Sequence, residues 1–149
     1  MPIRTATVVD IPAMLALERA APSAAHWSQS QYEVAVASLD RVSLVSEVDS
    51  VVEAFLVARA LGGEWEIENI VISVRQRRQG LGSCLLAEAC DCARLRNANA
   101  IFLEVRESNL AARALYEKNG FVQIGGRAHY YHDPEENALV YRLEVARSI

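Results

Sequence analysis

Three features of the sequence carry chemistry: a carboxylate, a phenol and an arginine- and glycine-containing loop. Glu104 lies inside the apolar run Ile101-Phe102-Leu103-Glu104-Val105, where desolvation favours a neutral carboxyl and makes the carboxylate a better base near neutrality. The competing role is an ion pair with a neighbouring arginine, because buried carboxylates are normally paired. Tyr116 falls seven residues after Asn109, about two helical turns, so both can face one groove from one side of a helix. On spacing alone, Tyr116 is equally an aromatic packing residue with a bonded hydroxyl. The loop Arg77-Arg78-Gln79-Gly80-Leu81-Gly82-Ser83 places a glycine pair where a helix begins, with Arg75 just before it. Free backbone N–H groups and the helix dipole favour an anion there, and a diphosphate suits the loop. A dinucleotide fingerprint would need a small residue at Leu85, and a P-loop a Lys followed by Ser or Thr; neither is present. A solvated turn with glycines opening a helix remains the alternative.

These residues must be positioned by a chain of 149 residues and 16.4 kDa, the size of one domain that buries roughly two thirds of its unfolded surface. Hydrophobic residues at 52% and charged ones at 23% support a packed core. A net charge of -4 disfavours a surface devoted to direct nucleic-acid binding. Cys84, Cys90 and Cys92 are too few and too clustered for a disulfide framework and lack zinc-site spacing, so they read as buried or half-buried thiols in a reducing cytoplasm. No signal peptide or membrane span is visible, and a cytoplasmic location is expected.

Periodicity predicts a strand over 4–9, then a helix capped by Asp10 and running to about residue 21, with Ile11, Met14, Leu15 and Glu18 as an apolar stripe and its polar flank. The segment APSAAHW is a loop, and Ser28 with Gln31 is a capping box for a helix over 29–39. Strands over 42–48, 51–61 and 64–73 form an antiparallel meander. A helix follows over 81–96, then a strand over 100–105 covered on both faces. Ser108 caps a helix over 109–119 that Gly120 terminates, and strands over 121–127 and 139–145 flank the loop AHYYHDPEEN. The order is β-α-α-β-β-β-α-β-α-β-β, an α/β fold around a mixed sheet.

The motif Arg77-x-x-Gly80-x-Gly82, followed by LEVRESNLAARALYEKNGF, resembles the GNAT superfamily of acyl-CoA-dependent N-acetyltransferases over nearly the whole chain. Within it, LEVRESN, ALYEKNGF, Tyr130-Tyr131 and the tripeptide HWS resemble the RimI-like branch of ribosomal-protein-alanine N-acetyltransferases. The resemblance implies a single GNAT domain over 1–149, with a mostly antiparallel central sheet flanked by helices. It implies acetyl-CoA as cosubstrate and no metal. Backbone groups of Ile70, Val71 and Ile72 would meet the pantetheine arm. Arg77, Arg78, Gln79, Gly80, Leu81, Gly82 and Ser83 would hold the pyrophosphate, with Asn109 a further contact. Glu104 stands at the family's proton acceptor and Tyr116 at its general acid, for direct transfer in a ternary complex. Glu68 is the runner-up base, acting through a water, and an exposed strand carboxylate is its competing role. Cys84, in the helix after the loop, is not expected to carry an acyl group, because a cysteine nucleophile needs a nearby base.

An α-amino group ionises near pH 8, against roughly 10.4 for lysine, so a modest base deprotonates it more readily and a protein N-terminus is a plausible acceptor. His129, His132, Asp133, Glu135 and Glu136 form a polar, acidic stretch that either attracts a cationic peptide or is a solvated loop; its spacing predicts no metal. Tyr131 is the candidate wall of the acceptor groove, and His26 and Trp27 would shape its other side. Val71, Val74, Gln76 and His26 depart from the branch pattern, which bears on specificity. By resemblance the partner is the N-terminal alanine of ribosomal protein S18. A GNAT enzyme for a small amine or a lysine side chain, and a regulatory coenzyme A-binding module without turnover, are the alternatives.

Overall fold

The computed structural model describes residues 2–21 and 25–145. Its strands are β1 (Ile3–Thr5), β2 (Arg41–Val48), β3 (Val51–Leu61), β4 (Glu64–Ile72), β5 (Ala100–Arg106), β6 (Val122–Tyr131) and β7 (Glu136–Glu144). The helices are α1 (Ile11–Arg19), α2 (Gln29–Ala37), α3 (Leu81–Leu95) and α4 (Leu110–Lys118). This is the α/β element order expected from the sequence. The strands form one mixed sheet in the order β1-β2-β3-β4-β5-β7-β6, in which only β4 and β5 run parallel.

Strand β3 is continuously apolar from Ala54 to Ala58 because both its faces are covered there. Ala54, Leu56 and Ala58 face the stripe Leu81, Leu85, Leu86, Ala89 and Ala93 of α3, while Phe55 and Val57 pack with Met14 of α1 and Tyr32 and Ala35 of α2. Helix α2 starts with the expected reciprocal cap: Gln31 N–H donates to Ser28 Oγ at 3.2 Å and Ser28 N–H to Gln31 Oε1 at 2.8 Å. Of the loop between α1 and α2, Pro22, Ser23 and Ala24 lie outside the described residues.

Several local expectations are corrected. β1 ends at Thr5 because the Asp10 carboxylate accepts the Thr7 N–H at 2.8 Å and two Arg4 N–H groups at 2.8 Å each, folding Val8–Asp10 into a 3-10 turn. Asp10 stands at the N-cap position of α1 as expected, but its side chain makes no cap hydrogen bond there and serves the 3-10 turn begun by Thr7, and the Arg4 hydrogen bonds hold its carboxyl below the usual range. Asn109, not Ser108, caps α4: Asn109 Oδ1 accepts the Ala112 N–H at 3.2 Å, whereas the Ser108 N–H donates to Glu136 at 2.5 Å. β5 is buried on one face at Ile101, Leu103 and Val105 but half-buried at Phe102, Glu104 and Arg106. The hairpin expected to open at 128–137 is paired as far as Tyr131 with Glu136, and the Asn137 side chain accepts the His129 N–H at 3.0 Å. Tyr130 and Tyr131 thus sit on β6 and not in a loop.

Two irregularities of β4 shape the centre of the sheet. Ala58 of β3 pairs with Ile67 and Val57 with Asn69, leaving Glu68 as an extra residue in a bulge. Trp65 and Ile67 face α3 before the bulge; beyond it Ile70 and Ile72 do, while Asn69 and Val71 turn towards α1 and α2. In addition, β4 and β5 pair only at Glu64, Trp65 and Glu66 with Ala100, Ile101 and Phe102. β4 continues to Ile72 and β5 to Arg106 with no strand between them, so the sheet parts and β4 keeps unpaired backbone groups along that edge.

Candidate active site

Glu104 lies on the β5 edge of this gap. Leu103 and its cross-strand partner Tyr141 belong to the core under α3 and α4, so Glu104, one residue on, points to the opposite face. Its side chain is only 12% exposed, with Oε1 3.3 Å from Arg127 Nη2. Its Oε2 is buried and has no hydrogen-bond partner among the described residues. One oxygen is therefore in the ion pair weighed as its competing role, and the other has no hydrogen-bond partner among the described residues. The Arg127 guanidinium also sits 5.1 Å above the Tyr130 ring. The Glu104 charge, ahead of burial, pushes the Tyr130 phenol up, and burial, ahead of that charge, pushes Tyr131 up to about 12. Tyr131 lies under the Arg106 guanidinium at 4.4 Å.

Across the gap, Glu68 is not an exposed strand carboxylate. Arg41 Nε donates to its Oε1 at 2.8 Å, and both side chains are largely buried. Glu66 occupies the last paired position before the strands part. Burial, then the charges of Glu68 and Glu104, raises its carboxyl above the usual range. Sequence reasoning missed Glu66, although the alternation Glu64-Trp65-Glu66-Ile67-Glu68 carried the signal of carboxylates sharing a face.

Tyr116 reaches the region from the other side of the sheet. Its ring packs between Phe121 and Tyr141, with centroids 5.9 and 6.2 Å away. Burial, and to a lesser extent the nearby Tyr131, pushes its hydroxyl well above the ordinary range, so the phenol stays protonated at neutral pH. Tyr131 feels the charge of Glu104, and Tyr116 in turn feels Tyr131. Glu104 thus lies on the gap-side edge of β5, while Tyr116 belongs to the core on the other face of the sheet.

At the end of β4 the loop turns into α3 at Gly80, whose φ of +85° is left-handed and suits glycine. A Cβ on Gly82 would lie 2.9 Å from Leu115 Cδ2 and 3.3 Å from Ile72 Cδ1, so α3 packs closely on α4 and β4 there and a larger residue would require those side-chain ends to shift. Arg77 and Arg78 are exposed, with no ion pair among the described residues. Arg75, counted with them in the sequence, instead brackets the buried Glu53 carboxylate through Nε at 3.0 Å, and Ser73 Oγ joins it. Ser83 Oγ accepts from Asn119 Nδ2 at 3.0 Å, tying the first turn of α3 to the end of α4. Asn109 spends its carbonyl oxygen on the α4 cap.

Residues 12–121 match the acetyltransferase (GNAT) family model. The chain belongs to the GNAT family. The [ribosomal protein bS18]-alanine N-acetyltransferase of Escherichia coli K12 is 37% identical over 95 residues, which are 62% of this chain and 64% of that protein, a little under two thirds of its length. The Salmonella typhimurium protein of the same name is 30% identical over 142 residues, 94% of this chain and 95% of that one. The crystal structure of the Escherichia coli ribosomal-protein-S18-alanine N-acetyltransferase matches with a TM-score of 0.86 at 28% identity, covering 99% of this chain and 96% of that one.

In this GNAT chain the loop beside the gap is held by a residue read from the sequence as a polar flank. Glu18 is 3% exposed, and its Oε1 accepts the Trp27 N–H at 2.6 Å and the Tyr32 hydroxyl at 2.7 Å. Asn69 Nδ2 donates to the Tyr32 oxygen at 3.0 Å. Trp27, whose ring lies 5.3 Å from that of Tyr32, is therefore fixed through Glu18 to the strand just past the Glu68 bulge. The signal was the position of Glu18, four residues after the buried Met14 on one helix face. Among the described residues no His, Cys, Asp and Glu group could hold a metal, and no helix is long and apolar enough to cross a membrane.

Proposed function

We propose that the chain transfers the acetyl group of acetyl-CoA to the α-amine of a protein N-terminus, within a ternary complex. The parting of β4 from β5 supports this reading most directly. Glu104 on the β5 edge of that gap offers a carboxylate oxygen with no hydrogen-bond partner among the described residues, and the buried Tyr116 offers a protonated phenol. The free edge of β4 at Ile70, Val71 and Ile72 suits the amides of a pantetheine arm, and the Gly80 turn with Arg77 and Arg78 suits its pyrophosphate. Leu81 opens α3 behind that turn, with Gln79 before it and Ser83 in its first turn. In the reaction the amine nitrogen attacks the thioester carbon, the C–N bond forms and the C–S bond breaks. Glu104 takes a proton from the amine and Tyr116 gives one to the departing sulfur. Glu68, bonded to Arg41, is placed to orient the acceptor side and not to compete for the proton.

The acceptor is the N-terminal alanine of ribosomal protein bS18, supported by the two curated relatives named for that substrate. A thiol-release assay with acetyl-CoA tests it, using alanine-first peptides, the same peptides blocked at the α-amine but carrying lysine, and small amines. Fastest release with the unblocked peptides is expected. Equal release with blocked lysine peptides or small amines overturns the acceptor assignment, and binding of coenzyme A without turnover on any amine overturns the enzymatic reading.

A further inference from the structure

We propose that Arg127 is a specificity-determining residue, whose guanidinium beside Glu104 turns ammonium groups away and so confines transfer to α-amines in preference to lysine side chains. The inference rests on Glu104 being the proton acceptor of an α-amine acetyltransferase. Arg127 belongs to β6, the outermost strand, and reaches past β7 to place Nη2 3.3 Å from Glu104 Oε1. Its guanidinium lies over the Tyr130 ring at 5.1 Å, which helps hold the cation beside the Glu104 carboxylate.

The other charges around this face are already matched. Arg41 answers Glu68; Arg59, paired in register with Glu66, also stands 3.7 Å from Asp40; Arg106 answers Glu136 at 3.3 Å. Tyr130 and Tyr131 are neutral phenols with raised ionisation. Arg127 is thus the cation that answers Glu104, and without it the Glu104 charge would stand uncompensated and draw cations in.

An ammonium group moving towards Oε2 must pass close to Arg127 and is repelled, whereas a neutral amine is not. At pH 7 about one α-amine in ten is neutral, but only about one lysine side chain in 2,500, from ordinary values near 8 and 10.4. A fixed cation beside Glu104 therefore converts that difference in proton affinity into a choice of acceptor. With Arg127 58% exposed, its field is also open to salt.

The test uses a peptide with a free N-terminal alanine and one internal lysine, with the ratio of α- to ε-acetylation read by mass spectrometry. For R127Q the ratio is expected to fall about tenfold or more, and for R127K, which keeps the cation, to stay within about threefold of wild type. An unchanged ratio in R127Q overturns the inference, as does an equal fall in R127K. A salt series on the wild type needs no substitution: the ratio should drop between about 0.05 and about 0.5 M salt, and a constant ratio overturns the inference. A wild type that prefers lysine overturns the acceptor reading itself, whereas an α-selective wild type indifferent to Arg127 and to salt overturns this inference alone.

Discussion

The Tyr32 hydroxyl donates to Glu18 Oε1 at 2.7 Å inside the core and links α2 to α1, while Asn69 Nδ2 of β4 donates to the Tyr32 oxygen at 3.0 Å. Three segments on the acceptor side thus meet at one buried carboxylate. Y32F removes the bridging oxygen and leaves Glu18 and Asn69 short of partners, at a cost of about 1–3 kcal/mol in urea unfolding. Because Trp27 hangs on the same carboxylate, KM for peptide should rise in Y32F while coenzyme A affinity holds; equal loss of both would argue against a link to the acceptor side.

E104Q and Y116F should each lower kcat by about 10²–10⁴-fold, with coenzyme A binding kept within a few-fold by calorimetry. Normal turnover in both variants would refute the role assignment. Burial also gives Tyr116 a sign in alkali. Its folded-state ionisation is raised, so its neutral form contributes fully below about pH 10 and that contribution is lost as the unfolded chain begins to ionise above it. Wild type should therefore lose more urea stability than Y116F between about pH 10 and 11.5.

Arg75 and the Arg77-Arg78 pair should separate by experiment. R77A/R78A is expected to weaken coenzyme A about tenfold, most at low salt, with little change in Tm, because neither side chain is tied to a described residue. R75Q should instead lower Tm. The Arg75 and Ser73 bonds depress the Glu53 carboxyl, so their contribution is present above its ordinary value near 4.5 and lost as pH falls below it. The Tm gap between R75Q and wild type should accordingly narrow in acid, and a pH-independent gap would contradict this pairing.

Cys84 is half-buried in the first turn of α3, behind the loop and away from Glu104. C84A should keep kcat within about twofold, whereas loss of turnover with an acetylated Cys84 in the wild type would point to a covalent carrier in place of direct transfer.

Where interactions are local, their residues announced them. The Ser28 and Gln31 cap, the αL glycine after α4 and the apolar stripe of α3 lie within one turn or one helix face of their partners, and the strands of the meander appear nearly as their alternation predicts. The expected end of β1 failed because Arg4 and Asp10 meet across a turn that periodicity does not encode. The assignment of the α4 cap to Ser108 failed because the competing acceptor, Glu136, comes from β7.

By itself, the amino-acid order determined the α/β element order and the glycine turn at the head of α3, and it singled out Glu104 and Tyr116 as the candidate proton-transfer groups. Tertiary structure alone decided that β4 and β5 part beyond Glu66, that Glu68 bulges, and that Glu104 lies on one face of the sheet and Tyr116 in the core on the other. It also decided that Glu18 and Arg127 matter, since each acts on a partner supplied by another element. The reason is physical: helix and turn preferences arise from neighbours in sequence, whereas strand register, burial and charge pairing depend on chain segments that meet only when the sheet has formed.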